Sequence, residues 1–274
     1  MDRKPVLNRF DNKVAIVTGG ASGIGRAIAQ ELCREGCAVL ITGISDAGKA
    51  TAREFSEAGY QVLFKQGDME DESFCKSLVP ACVAHFGKLN YLVNNAFSFI
   101  AKGLDATVAD WERMMRVGPI AYAIMATCAL EPMKAQGGGA IVNMSSISAF
   151  IAQPNRWTYN AAKGAVLNLT RCMAYDLAKY GIRVNSVSPG WIWTREVFKA
   201  ADIDGGGKEK WDPIWGEYHM LGRCGEPIEC AGPVLFLLSD DASFITSTDL
   251  AIDGGYNGMG PEGLGKTTVL AGSK

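Results

Sequence analysis

The sequence predicts an α/β chain built on a parallel sheet with helices on both faces. Short apolar runs recur along the chain with helical stretches between them, and a glycine-rich turn joins the first run to the first helix. The runs fall at 14–17, 38–42, 61–65, 89–93, 140–144, 182–188 and 249–252. Short runs buried on both faces and separated by crossover helices belong to a parallel sheet. The first, Val14 to Val17, leads into Thr18-Gly19-Gly20-Ala21-Ser22-Gly23-Ile24-Gly25, and helical spacing follows at Ile24, Ile28 and Leu32. The second run starts near Cys37. One long segment, about 195–226, lacks a regular pattern; it holds Asp204-Gly205-Gly206-Gly207 with Trp211, Trp215 and Tyr218, and reads as a lid or substrate loop. The tail, about 258–274, is Gly-rich and weakly patterned, an end with little to hold it in place.

At 274 residues, 48% hydrophobic and 20% charged, the chain suits a single domain over 1–274 with ample core material. The net charge of -2, with neither sign gathered in a block, argues against nucleic acid or an anionic membrane as partner. The start, MDRKPVLNRFDNK, has no apolar stretch, and no run approaches the length of a membrane span, so the expected address is the cytoplasm. Eight cysteines are scattered without a C-x-x-C and read as reduced, mostly buried thiols. Cys33 and Cys37 are four apart, but no His lies nearby and no metal site is expected.

The residues with the most chemistry are Ser146, Tyr159 and Lys163, thirteen and then four apart. A Tyr and a Lys at i, i+4 share a helix face, so the ammonium is expected to lower the phenol pKa and make Tyr159 a proton carrier. Upstream, Gly19, Gly23 and Gly25 let the backbone turn sharply and approach a pyrophosphate at the N-terminus of the following helix.

Together with Asp68-Met69, Asn94-Asn95-Ala96, Asn185, Pro189-Gly190 and Asp253-Gly254-Gly255, these motifs resemble the short-chain dehydrogenase/reductase family, with the match running from about Asn12 to about Tyr256. The resemblance implies a doubly wound Rossmann-type sheet of seven strands, order 3-2-1-4-5-6-7, with a nicotinamide cofactor across the carboxyl ends of the strands. It implies that Tyr159 exchanges a proton with the substrate oxygen, that Ser146 hydrogen-bonds the same oxygen, and that Lys163 tunes the phenol and holds the nicotinamide ribose. Ser145 and Ser148 are alternative hydroxyls. The same resemblance implies that Ser22 and Ile24 line the pyrophosphate turn, that Asp68 faces the adenine amino group and Met69 lines the adenine, that Asn94 and Ala96 lie near the adenosine ribose, and that Pro189, Gly190, Ile192 and Thr194 grip the nicotinamide amide. For Asp68 a plain turn role before a helix is the competing reading.

Cofactor choice rests on the end of the second strand. NAD-preferring relatives place an acid where this chain has Gly43, and many NADP-preferring relatives place an Arg where it has Ile44 or Ser22. Neither device is present. Ser45 offers one neutral hydrogen bond and Asp46 repels a phosphate, which favours NAD over NADP; Lys49 argues the other way.

Two positions depart from the family pattern. Gly118 stands where the catalytic Asn is expected, and Gly118-Pro119 predicts a kinked helix whose backbone carbonyl takes over the water contact to Lys163. Phe97 stands where the family has Gly, either covering the cofactor or simply packing. The substrate-lining positions hold Phe97, Phe99, Gln153, Asn155, Arg156, Trp157, Trp191, Trp193, Arg195, Trp211, Trp215 and His219. Aromatic faces among amides and cations suit a hydroxylated substrate such as a sugar, polyol or cyclic alcohol; packing of the lid is the competing role for each Trp. A 3-oxoacyl-thioester or ketone reductase using NADPH, or a cofactor-binding regulatory or scaffold protein, are the alternatives. The resemblance also implies a homotetramer built on helices around 107–134 and 157–180. The small and apolar residues Ala161, Ala162, Ala165, Leu169, Cys172, Met173 and Leu177 point the same way, and the segment 254–261 is expected at a subunit interface near the lid.

Overall fold

The computed structural model describes residues 3–203 and 205–260. Seven parallel strands form one sheet: β1 (Val14–Val17), β2 (Ala38–Gly43), β3 (Val62–Gln66), β4 (Tyr91–Asn94), β5 (Gly139–Met144), β6 (Ile182–Pro189) and β7 (Asp249–Ile252). Their order is β3-β2-β1-β4-β5-β6-β7, as the family resemblance implies. The chain reverses direction across the sheet between β1 and β4, where β1 pairs β2 through Val14↔Ala38 and β4 through Ala15↔Tyr91. A crevice opens at the carboxyl ends of the strands at such a switch point.

Alternating side chains feed two cores, one on each face, as a strand's period of two requires. Val14, Ile16, Leu40, Leu92 and Ile141 pack under helices α3 (Glu72–Phe86), α5 (Ala121–Ala135) and α6 (Trp157–Ala178). Ala15, Val17, Val39, Ile41 and Val142 pack under α1 (Gly23–Arg34) and α9 (Pro227–Leu238). Helix starts follow local chemistry. Asp71 caps α3 by accepting from the N–H groups of Ser73 and Phe74, and Thr107 with Asp110 forms a capping box on α4 (Val108–Met115).

Between α4 and α5 the turn Arg116–Ile120 opens to a wider π-type winding, and Gly118 leaves helical geometry at φ -92°, ψ -107°. Pro119 explains the break, since it disfavours helical geometry in the residue before it and cannot donate an N–H. The expected irregular segment 195–226 is instead largely helical, a correction to the sequence reading. It carries α7 (Arg195–Ile203) and α8 (Gly207–Gly216). Gly205, Gly206 and Gly207 all adopt left-handed backbone, which lets the chain reverse between the two helices. No helix among the described residues is long and apolar enough to cross a membrane. Most of the tail, residues 261–274, lies outside the described residues.

Candidate active site

The glycine-rich turn sits at the switch point, held by residues the sequence reading left without a role. The Thr18 hydroxyl accepts the N–H groups of Asn95 and Ala96 at 2.9 and 3.0 Å, and the Asn95 amide donates to the Thr18 carbonyl at 2.9 Å. The Thr42 hydroxyl accepts the Gly19 N–H at 3.0 Å. A Cβ at Gly25 would stand 2.4 Å from both the Gly19 oxygen and the Asn95 amide nitrogen, so close packing excludes any side chain there. No side chain caps the start of α1 at Ser22 and no acid occupies its first turn. The helix terminus therefore presents N–H groups and a partial positive charge to an anion. Thr194 lies across the turn, its methyl 3.7 Å from where a Gly23 Cβ would be. These features fit a dinucleotide pyrophosphate.

Around the adenosine end, the Asn94 side chain turns into the sheet, donating to Asn143 at 2.9 Å, which leaves only its backbone for the crevice. Met69 is buried. Asp68 has a structural role that the turn reading anticipated in part: one oxygen accepts the Glu70 N–H at 3.0 Å and the other pairs with Arg113 at 2.8 Å. At the selector, a Cβ on Gly43 would lie 2.9 Å from the Ala21 methyl, while Ile44 is 69% exposed. Lys49 pairs with Asp46 at 2.6 Å on the open surface.

Ser146, Tyr159 and Lys163 come together at the ends of β5 and α6. The Ser146 hydroxyl lies beside the Tyr159 phenol, where it favours the ionised form, and accepts the Ser148 N–H at 3.1 Å. The two alternative hydroxyls are otherwise engaged: Ser145 donates to the Lys163 carbonyl at 3.2 Å, and Ser148 donates to Gln153 at 2.6 Å. Gln153 thus buttresses Ser148, and Ser148 in turn orients Ser146.

The expected electrostatics need correction. Lys163 is buried, donates to the Met144 carbonyl at 2.8 Å and sits 3.6 Å from the centre of the Phe97 ring. Its ammonium is therefore not directed at the phenol oxygen. Burial lowers the Lys163 pKa to about 7. Burial also raises the Tyr159 pKa, against the polar hydroxyl of Ser146 and the positive charge of Arg156. The Gly118 carbonyl accepts the Ala121 N–H, so it is not the free group that the kink alone suggested.

The aromatic set divides in two. Trp193 and Trp215 are 2% and 8% exposed and belong to a lid core in which Trp215 stacks on Trp211 at 5.0 Å and meets Trp191 at 4.9 Å. Trp193 donates to Asp212 at 2.5 Å. Lid packing, the competing role, thus describes Trp193 and Trp215. His219 is also internal. Its Nε2 accepts the Trp191 N–H at 3.3 Å, which leaves Nδ1 to donate to the Trp215 carbonyl at 3.1 Å. Burial lowers its pKa and keeps it neutral. The side facing Tyr159 is made of Phe97, Phe99 and Arg156. The Phe99 ring stands 5.0 Å from the Tyr159 ring, and the Arg156 guanidinium lies 5.5 Å from Phe99 and 5.7 Å from Trp191. Trp157, at the start of α6, is 53% exposed. A cavity of about 470 Å³ beside the ends of β6 and β7 is lined by Gly190, Trp191, Ile192 and His219 among others, but not by Tyr159.

Comparison with known proteins agrees with this geometry. The family model described as enoyl-(acyl carrier protein) reductase matches residues 19–257. A cis-4-hydroxycyclohexanecarboxylate dehydrogenase of Sinomonas cyclohexanicum is 39% identical over 91% of this chain and 98% of its own. An NADP-dependent (R)-specific alcohol dehydrogenase of Lentilactobacillus kefiri is 36% identical over 92% of this chain and 99% of its own. A solved structure from Agrobacterium tumefaciens, provisionally described as a gluconate dehydrogenase, superposes with a TM-score of 0.85 at 28% identity, covering 93% of this chain and 100% of that one. The chain belongs to the short-chain dehydrogenase/reductase family, nicotinamide-dependent oxidoreductases that act on CH–OH groups.

Proposed function

We propose that this chain is an NAD-linked dehydrogenase of secondary alcohols whose substrate is a hydroxylated ring or sugar-like acid bearing a carboxylate. The observation that carries the substrate class is Arg156. It forms no ion pair with any described residue, and its guanidinium lies over Phe99, whose ring touches Tyr159. A planar cation held on aromatic faces at the mouth of an apolar site suits a carboxylate. The ring of the substrate packs against Phe99 and Trp191. The Sinomonas relative, by its name, also acts on a hydroxy acid with a ring.

Bound nicotinamide supplies the hydride acceptor. Tyr159 takes the hydroxyl proton as hydride leaves the same carbon, and the resulting ketone oxygen stays hydrogen-bonded to Ser146. Gly19, Ser22, Gly23, Ile24 and Gly25 hold the pyrophosphate, Ala96 and the Asn94 backbone flank the adenosine ribose, and Lys163 reaches the nicotinamide ribose. Pro189, Gly190, Ile192 and Thr194 hold the amide. The preference for NAD follows from the absence of a cation at Ser22, Gly43 and Ile44 and from the carboxylate of Asp46. One domain spans the chain, and a homotetramer is supported by α6, where Ala161 and Cys172 are exposed and Tyr175 is 87% exposed. A light-scattering mass near one 29.3 kDa chain refutes the assembly.

Reduced-nicotinamide absorbance with NAD and NADP tests the function across four substrate classes: cyclic hydroxy acids, uncharged cyclic alcohols, polyols, and a 3-oxoacyl thioester in the reverse direction. The highest kcat/KM is expected for a cyclic hydroxy acid with NAD. A preference for the thioester with NADPH refutes this reading, as does the absence of turnover with every substrate.

A further inference from the structure

Phe97 and Gly118, the two departures from the family pattern, occupy the same space. A Cβ at Gly118 would stand 2.4 and 2.7 Å from the Cε2 and Cζ atoms of the Phe97 ring. The Phe97 ring thus takes the space that a side chain at 118 would need. The same ring meets Lys163, whose ammonium sits 3.6 Å from the ring centre, closer than its 5.7 Å to the Tyr159 ring. Beyond the ring face, its one hydrogen bond among the described residues is to the Met144 carbonyl.

We propose that Phe97 is a positioning residue for Lys163: its ring fills the volume a side chain at 118 would need and gives the buried ammonium an aromatic face beside its hydrogen bond to the Met144 carbonyl. This rests on the role assigned to Lys163 above. The ring is fixed from two further sides, edge-on to Tyr159 at 5.8 Å and to Tyr122 at 6.3 Å. The titratable groups packed against the ring are therefore the Lys163 ammonium and two phenols, Tyr159 on the same helix and Tyr122 on α5, while the Met144 carbonyl at the end of β5 accepts the ammonium's hydrogen bond. No carboxylate among the described residues pairs with it, and Arg156, at the mouth, acts on Tyr159. In this setting the ring's negative face favours the charged form that burial opposes. A chain with Asn at 118 and Gly at 97 would build the same wall from a polar side chain; this chain builds it from an aromatic one.

The test uses the protein without substrate or cofactor, so it does not depend on the proposed reaction. Unfolding midpoints are measured against pH for wild type and Phe97→Leu, each paired with its Lys163→Met counterpart to cancel every other titrating group. Burial places the folded Lys163 pKa near 7 against an ordinary 10.5, so the ammonium costs most below about pH 7. Stability relative to the Met variant then rises with pH as the folded state sheds the proton first. Leucine keeps apolar bulk but has no ring face, so this rise is expected to start about one pH unit lower. Phe97→Tyr, which keeps the face, is expected to retain the wild-type onset. An unchanged onset in Phe97→Leu, or a shifted one in Phe97→Tyr, overturns the role of the ring. The shared volume is tested separately by Gly118→Ala, expected to cost far more in wild type than in Phe97→Leu, which lacks the two clashing atoms. Equal cost in both backgrounds, or loss of folding in both, refutes it.

Discussion

Replacing Arg156 by Gln separates the proposed substrate class from the reaction class. The substitution leaves the aliphatic stem and removes the charge that lies over Phe99 and Trp191. A hydrogen bond to a charged group is worth about 1.5–3 kcal/mol. At ~1.4 kcal/mol per decade this predicts a fall of roughly 10- to 150-fold in kcat/KM for a cyclic hydroxy acid. An uncharged cyclic alcohol has no carboxylate to lose, so its rate should change only through the phenol. Arg156 helps hold the Tyr159 pKa down against burial, and its removal should move the alkaline rise of the oxidation rate to higher pH with both substrates. The assay is the ratio of kcat/KM for acid over alcohol across pH, by reduced-nicotinamide absorbance. A ratio that stays constant while both rates fall would show that Arg156 only supports the fold, and would remove the argument for a carboxylate.

Three further outcomes are expected. Gly43→Asp should weaken NAD and NADP alike, because its Cβ meets the Ala21 methyl on the pyrophosphate turn; Ile44→Arg, at an exposed position, should raise NADP affinity by about tenfold through a charged contact to the 2'-phosphate. Dissociation constants from cofactor fluorescence decide this, and an unchanged NAD/NADP ratio in the Arg variant would place the adenosine ribose elsewhere. Lys163→Met should make the protein without cofactor more stable near neutral pH, with the advantage shrinking by up to about 1.4 kcal/mol per pH unit above pH 7, since the unfolded lysine keeps its proton where the folded one loses it. A stability difference independent of pH between 7 and 9 would mean the ammonium is better solvated than its burial implies.

The parts of this molecule that repeat or punctuate were legible in the chain. The strand runs at 14–17 and 38–42 became β1 and β2 to within a residue, because alternation between two cores leaves a period the sequence displays. The glycine-rich turn was legible because backbone geometry admits few residue types there, and Ser146, Tyr159 and Lys163 because their side-chain chemistry recurs at a recognisable spacing, the last two on one helix face. What escaped was the filling of space between distant segments. Phe97 and Gly118 looked like separate departures because nothing in a linear pattern records that a ring at one fills the volume of a side chain at the other. The Asp68–Arg113 pair crosses 45 positions and carries no periodic signal. The helices of the lid were missed because they are short and α8 contains Pro213, while the adjacent triple glycine, which turns the chain between them, reads as a longer loop. His219 was read as lining the substrate pocket, yet both its nitrogens are spent on backbone groups at 3.3 and 3.1 Å.

The central claim is that Tyr159 moves the proton in a nicotinamide-linked oxidation at this site. Its most direct measurement is turnover and cofactor affinity for Tyr159→Phe beside wild type, with the best substrate from the panel. The phenol's proton transfer is predicted to be worth about 10²- to 10⁴-fold in kcat. Cofactor affinity should remain near that of wild type, since the pyrophosphate turn and Thr194 are untouched. Near-normal turnover in the Phe variant would contradict the account.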